Sequence, residues 1–261
     1  MTSYVFAGEG ELRHDQEDCL AAAYDPVTTA RLAATGVTRG WRCLEIGAGG
    51  GSVARWLAER VAPGAGGVVA TDLAPQHGPG ARGLTAIRHD VVTDPLPRNA
   101  FDLVHARLVL RHLPAREAVL EKVLATLKPG GWLQVDEFDT TYQPCLVAPD
   151  TEAERLFREF LSAKDAVMAA AGVDVAWGSR VGAAMRHAGF TEVDVWPQVE
   201  TWGPGSPGAR LLVHHTYRLR EELLAAGMTG DGLRRVRALL ADPGFLVCSS
   251  VFYSVQGRRA G

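Results

Sequence analysis

The residues with the clearest chemical potential lie in 42–52, RCLEIGAGGGS, where glycine occupies four of the five positions from 47 to 51. Gly47, Gly49 and Gly51 would permit a tight turn from a strand into a helix, and they would let a ligand lie against bare backbone. The helix after the turn would point its N-terminal amides at that ligand. The segment therefore predicts a binding site for a nucleotide-like molecule.

Two carboxylates flank this glycine loop. Asp72 ends the apolar run VVATD about 20 residues further on, where an acid can accept hydrogen bonds from both hydroxyls of a ribose. A solvated loop acid is the alternative for Asp72, and its position behind a loop and a strand favours the ribose. Glu45 precedes the loop, and its charge would repel a pyrophosphate but suits a cationic or amine-bearing ligand.

Position 52 gives a third indication about the ligand. The dinucleotide fingerprint G-x-G-x-x-G has glycine at its last position so that helix and strand pack closely, and this chain has Ser52 there. Together with Glu45, this serine disfavours NAD(P) without excluding it. An NAD(P)-dependent oxidoreductase therefore stays open as an alternative function.

Short strands alternate with helices such as 52–61 and 115–128 around the loop. This alternation predicts βαβ units, and hence an α/β fold with a Rossmann-like, doubly wound, mostly parallel sheet of seven strands. The seven strands are expected at 42–46, 68–72, 84–90, 100–107, 132–138, 191–196 and 248–257.

Helices beyond a minimal sheet are expected to form a lid. The pattern divides the chain into an N-terminal helical lid segment (1–40), a cofactor-binding half (41–139) and the remainder of the same domain with inserted substrate-lid helices (140–261). Pro26 is expected to break the N-terminal segment, because proline favours the first turn of a helix. One continuous helix is expected at 209–226, with His215 on its apolar stripe.

The bulk composition excludes several classes of function. The chain has 261 residues, a net charge of −3 and no run of basic residues, so we expect no nucleic-acid partner. No signal peptide and no apolar run of about 18 residues is present, which predicts a cytoplasmic protein without a membrane span. The four cysteines are far apart, and no metal site is expected.

Several segments, in chain order, resemble motifs of the class I S-adenosylmethionine-dependent methyltransferases. LEIGAGGGS (44–52) is similar to their first motif, E/DxGxGxG, and TDL (71–73) to the acid at the end of their second strand. The similarity is strong over 40–138, and it looks closest to actinobacterial small-molecule methyltransferases, which carry a similar N-terminal YDP. The other similar segments are HDVVTDPLP (89–97), FDLVHARLVLRHL (101–113), LKPGGWLQVDEF (127–138) and HAGF (187–190).

The resemblance implies S-adenosylmethionine as the cofactor and a set of residues that would bind it. The three loop glycines would line the methionine part and the ribose, and Asp72 would bind the ribose hydroxyls. Asp90 has an alternative role as a turn acid. The other implied contacts are Leu73 beside the adenine, Asp90 and Val91 at its amino group, Ala106 and Arg107 under the sulfonium or amino-acid end, and Glu45 as an indirect contact to the amine.

Acceptor chemistry is less constrained by the sequence. His112, just past the fourth strand, is the candidate general base, with a structural role as the alternative; His105 fits a packed core histidine better. His215, Tyr217 and Tyr24 are candidate substrate contacts, with packing as the alternative, which is favoured for His215.

We therefore expect methyl transfer to a small organic acceptor of secondary metabolism, on O, N or C. A non-methylating reaction on the same fold, such as cyclisation or decarboxylation, is an alternative. The late helices also offer a surface for a homodimer.

Overall fold

The predicted seven-stranded sheet is present in the computed structural model of the protein, which describes residues 11–62, 66–75 and 82–261. The strands are β1 (Arg42–Ile46), β2 (Gly67–Asp72), β3 (Leu84–Arg88), β4 (Phe101–Arg107), β5 (Leu127–Asp139), β6 (Cys145–Val147), β7 (Thr191–Gln198), β8 (Thr201–Trp202), β9 (Leu246–Cys248) and β10 (Val251–Arg258). The helices are α1 (Glu11–Ala34), α2 (Ser52–Val61), α3 (Arg116–Thr126), α4 (Thr151–Ala170), α5 (Trp177–His187), α6 (Pro207–Arg218), α7 (Arg220–Ala225) and α8 (Gly230–Leu240).

The chain divides into two compact units. The sheet unit comprises Tyr24–Phe138, Trp177–Pro197 and Tyr253–Gly261, and the helical unit comprises Met1–Ala23, Asp139–Ala176 and Gln198–Phe252. Several elements, α1 and β5 among them, contribute residues to both units. Among the described residues, no helix has the length and apolar character that a membrane span requires.

The large sheet has the strand order β3-β2-β1-β4-β5-β10-β7. β1 pairs in parallel with β2 and β4, and β4 pairs in parallel with β5, so the carboxyl ends of these strands share one edge. Arg259 exchanges backbone hydrogen bonds with Gly130 and Gly131, which makes β10 antiparallel to β5. The predicted α/β Rossmann-like, mostly parallel fold is confirmed. Ligands in such sheets bind outside the carboxyl ends of the strands.

Apolar layers cover both faces of this sheet. Leu44 and Val104 belong to the layer that includes residues of α3 and α5. Cys43 and Leu103, one position earlier on the same strands, belong to the layer that includes α2. Alternate strand residues point to opposite faces, so each strand is apolar on both sides, as a doubly wound sheet requires.

The predicted helix break at Pro26 is wrong. α1 continues through this proline, which removes only one helical hydrogen bond, from position 26 to the carbonyl of Ala22. Thr28 and Leu32 are completely buried, and this burial offsets the loss. The first ten residues of the predicted lid segment lie outside the described residues.

The helical unit has its own apolar core, in which the rings of Phe157 and Phe245 meet edge to face with centroids 5.2 Å apart. It also contains a small sheet of order β6-β9-β8, which the sequence did not predict because strands of two or three residues carry no alternation. The single helix expected at 209–226 is two helices, α6 and α7. They are separated at Leu219, whose φ of −103° and ψ of 22° are not helical.

Candidate active site

The glycine loop makes the turn from β1 into α2, as predicted. Gly47, Gly49 and Gly51 have φ values of 68°, 50° and 74°, a left-handed conformation that residues with a side chain rarely adopt. A Cβ atom on Gly47 would overlap the side chain of Val109, whereas a Cβ on Gly49 would meet no atom within 4 Å. Gly51 caps α2 without a side-chain hydrogen bond. The loop therefore presents open backbone to a ligand.

Asp72 lies at the end of β2 and contacts the same loop. Its Oδ2 accepts a hydrogen bond from the Gly49 amide at 3.0 Å, and its Oδ1 accepts one from the Ala74 amide at 2.9 Å. Each oxygen keeps a second lone pair for a ligand hydroxyl. Leu73 beside it is 58% exposed. These positions fit the ribose and adenine roles, which stay predictions.

Asp90 and Val91 form a fixed turn after β3. Oδ1 of Asp90 accepts the Val92 amide at 2.8 Å, and Lys122 Nζ donates to the Val91 carbonyl at 2.8 Å. Oδ2 of Asp90 has no hydrogen-bond partner among the described residues. The same carboxylate can therefore stabilise the turn and accept a bond from a ligand.

Arg107 ends β4 beside the glycine loop and pairs with α1. Its Nη1 donates to Asp25 Oδ1 at 2.7 Å and to Thr28 Oγ1 at 3.3 Å. Ser52, the first residue of α2, donates to the same Asp25 oxygen at 3.1 Å. Ala106, by contrast, is 1% exposed and belongs to the apolar core. Asp25 on α1 thus bonds both the last residue of β4 and the first residue of α2.

Three buried ionisable side chains, Glu45, His105 and Asp136, form a group on one face of the sheet. His105 Nδ1 is 2.8 Å from Glu45 Oε2, and its Nε2 is 3.1 Å from Asp136 Oδ2. Burial alone would lower the pKa of His105, but the two carboxylates outweigh it and raise the pKa to about 9. Burial alone would raise the pKa of Asp136, but the hydrogen bond and charge of His105 hold it below its ordinary value. His105 is therefore an imidazolium at neutral pH.

His112 lies in a short 3₁₀ helix, Leu110–His112, just past β4. Burial, together with Arg111 and Arg116, lowers the pKa of His112 to about 3. A general base works best when its pKa is near the operating pH, so His112 is a weak proton acceptor as it stands. Its catalytic role stays a prediction.

Glu137 lies next to this 3₁₀ helix at the end of β5. It is fully buried, and its Oε1 accepts the Arg111 amide at 3.2 Å. Burial raises the pKa of Glu137 to about 7, against the opposing effect of the Arg111 charge and of backbone amides. Its other oxygen, Oε2, is buried with no hydrogen-bond partner among the described residues.

The three predicted substrate contacts fall in different units. Tyr24 is buried in the sheet unit, with its ring edge-on to Phe138 at 5.0 Å. His215 and Tyr217 lie on α6 of the helical unit, where Tyr217 is 52% exposed and carries the Arg237 guanidinium 4.4 Å from its ring centroid. Their substrate role stays a prediction.

Sequence reasoning assigned His105 to packing, and it did not single out Asp25, Thr28, Asp136 or Glu137. A signal existed: VHAR and QVDEF place ionisable residues inside apolar strand runs, where charged side chains are rarely buried unless paired.

The fold and the loop with its flanking carboxylates define a Rossmann-like enzyme that binds a nucleotide-like cofactor. A family model described as methyltransferase domain matches residues 14–195, and the chain belongs to this family. The predicted class, an S-adenosylmethionine-dependent methyltransferase with S-adenosylmethionine as cofactor, is thereby confirmed. The open backbone at Gly49 and the acceptors on Asp72 and Glu45 fit such a cofactor.

Curated relatives agree with this class. The chain is 31% identical to the ubiquinone/menaquinone biosynthesis C-methyltransferase UbiE of Cupriavidus taiwanensis over 128 residues, 46% of this chain and 52% of that protein. It is 49% identical to methyltransferase str3 of Strobilurus tenacellus over 45 residues, 17% of this chain and 16% of that protein. The chain thus matches about half the length of the first relative and about a sixth of the second.

Two solved structures share the fold. A putative sarcosine dimethylglycine methyltransferase from Galdieria sulphuraria superposes with a TM-score of 0.52 at 16% identity, covering 90% of this chain and 85% of that one. Phosphoethanolamine N-methyltransferase 2 of Haemonchus contortus, in complex with S-adenosyl-L-methionine, gives 0.54 at 14% identity, covering 97% of this chain and 61% of that one.

Proposed function

We propose that this protein transfers the methyl group of S-adenosylmethionine to a small organic molecule of secondary metabolism, in the cytoplasm. The observation that carries the proposal is the glycine loop, with open space at Gly49 and the Asp72 carboxylate bonded to the Gly49 amide. The bound cofactor supplies an activated methyl group on a sulfonium.

In this reaction the chain's own residues bind and orient the cofactor. Asp72 accepts hydrogen bonds from the ribose, Asp90 from the adenine amino group, and Glu45 provides negative charge for the cationic end. Arg107 and Asp25 fix α1 next to the loop. Because His112 has a pKa of about 3, alignment of the acceptor contributes more to the rate than proton removal by this histidine.

Two features support a small acceptor. The helical unit has an apolar core of its own, and its helices are additional to a minimal doubly wound sheet. The relative with the longest matched segment among those named above is a C-methyltransferase of quinone biosynthesis, a small-molecule activity. These features favour the small-molecule type that the sequence resembles.

Calorimetric titrations with S-adenosylhomocysteine and with NADH test the cofactor. We expect micromolar binding of S-adenosylhomocysteine and no binding of NADH, and the reverse result would refute the proposal. Incubation with methyl-labelled S-adenosylmethionine and fractionated small metabolites tests the reaction. Label in a small molecule supports it, whereas label only in protein or nucleic acid would contradict it.

A further inference from the structure

Glu45, His105 and Asp136 are brought together by the register of three neighbouring strands. Glu45 on β1 is directly opposite His105 on β4, and Asp136 on β5 is opposite Arg107, two residues beyond His105. All three side chains are buried, with exposures of 3%, 0% and 0%. The group lies on the sheet face that also carries Cys43 and Leu103.

The geometry fixes the charge of the group. Each ring nitrogen of His105 is within hydrogen-bond distance of a carboxylate oxygen, at 2.8 and 3.1 Å. Both contacts are hydrogen bonds to ionised carboxylates only if both nitrogens carry protons. His105 is therefore a cation between two anions, and such charge-assisted bonds are strong and directional.

The two carboxylates are not equivalent. Both oxygens of Asp136 are bonded within the protein, since its Oδ2 also accepts Thr28 Oγ1 at 2.7 Å and both of its oxygens accept from Gln134 Nε2. Glu45 uses only Oε2, and its Oε1 has no hydrogen-bond partner among the described residues. The Glu45 side chain keeps 4% exposure, and the residue lies two positions before Gly47. The free acceptor is thus at the loop end of the group.

We propose that His105, anchored by Asp136, is a positioning residue that holds Glu45 as an oriented carboxylate for the ammonium group of the cofactor. This inference rests on the proposed function. Without the imidazolium, the Glu45 carboxylate would lose the hydrogen bond that fixes its Oε2, and its side chain could rotate. His105 does not touch the cofactor in this scheme and acts through Glu45.

The test compares two ligands in calorimetric titrations. S-adenosylhomocysteine carries the ammonium group, and 5′-methylthioadenosine has the same adenosine thioether without the amino acid. We expect His105→Gln to weaken S-adenosylhomocysteine binding roughly tenfold, the order expected for one misplaced charge, while methylthioadenosine affinity changes less than about twofold. Asp136→Asn and Thr28→Val should give the same pattern with smaller losses, and either keeps the test available if His105→Gln does not fold.

Two further variants separate positioning from general damage. Glu45→Gln should give the same selective loss, and adding His105→Gln to it should cause no further loss, because both act through one carboxylate. Gln256→Met is the matched control, since Gln256 bonds Gln134 and the Arg31 carbonyl in the same buried layer but neither carboxylate. It should leave the ratio of the two affinities unchanged.

The outcomes distinguish the two proposals. Equal weakening of both ligands by His105→Gln, or additive losses in the double variant, would overturn the positioning role while leaving the proposed function intact. If the unmodified protein binds methylthioadenosine and S-adenosylhomocysteine equally well, Glu45 has no ammonium to orient and the inference fails. If it binds neither ligand, the proposed function itself fails.

Discussion

Replacing Glu137 by glutamine should make the protein more stable at alkaline pH. Glu137 is fully buried, and burial raises its pKa from 4.5 to about 7. Glutamine keeps the oxygen that accepts the Arg111 amide but cannot ionise. The variant therefore removes the charge and retains most of the shape.

The size of the effect follows from linkage. At about 1.4 kcal/mol per pKa unit, a rise from 4.5 to about 7 means that the ionised carboxylate costs the fold about 3 kcal/mol. Below pH 4.5 the group is neutral in both the folded and the unfolded chain, so the cost is absent. Between pH 4.5 and 7 only the unfolded chain ionises, so the unmodified protein loses stability as the pH rises. Above pH 7 the full cost remains.

Urea unfolding followed by circular dichroism between pH 4.5 and 8.5 measures this difference. The free energy of unfolding of Glu137→Gln, minus that of the unmodified protein, should rise by about 3 kcal/mol across the range. Glu121→Gln, an exposed position on α3, is the matched control and should give a constant difference. A constant difference for Glu137→Gln as well would show that the amides of the 3₁₀ helix, and not burial, dominate its ionisation.

Four other variants test the site. Gly47→Ala should cost about 3 kcal/mol of unfolding free energy, from left-handed strain and overlap with Val109, against about 1 kcal/mol for Gly49→Ala, where space is open. Asp72→Ala should weaken S-adenosylhomocysteine binding tenfold or more in calorimetry. His112→Gln should make the protein more resistant to acid. The folded protein keeps His112 neutral down to about pH 3, whereas the unfolded chain protonates it below about pH 6.5, so the unmodified protein loses stability as the pH falls. In urea unfolding at pH 4.5, the variant should therefore avoid a loss of about 3 kcal/mol in the free energy of unfolding.

A control variant and two contradicting outcomes accompany these predictions. Asp102→Asn removes an acid from the other end of the sheet, where it pairs with Lys128 and accepts the Arg42 amide, so it should change stability but not cofactor affinity. Equal costs for the two glycine variants would remove the overlap with Val109 from the explanation. A His112→Gln difference that does not vary with pH would contradict the neutral state of that histidine.

Periodicity and glycine chemistry were sufficient to predict the sheet and its loop. Alternating strands and helices leave a long-range pattern in the sequence, and all seven strands occur close to their expected positions. The continuity of α1 through Pro26 was not predictable in the same way, because it depends on the burial of Thr28 and Leu32 against distant residues. The break at Leu219 and the strands of two or three residues likewise depend on tertiary contacts.

The charged group around His105 could be predicted from the sequence only if the register of neighbouring strands were taken into account. Its members come from positions 28, 45, 105 and 136, so no local spacing reveals it, yet the parallel register places Glu45 opposite His105. Near the amino ends of β1 and β4 the same face carries Cys43 and Leu103 in an apolar layer. Near the carboxyl ends it carries ions, whose burial costs free energy unless every partner is present. Ligands of such sheets bind at the carboxyl ends of the strands, so polar residues in the second half of a buried parallel strand indicate where to look for a site.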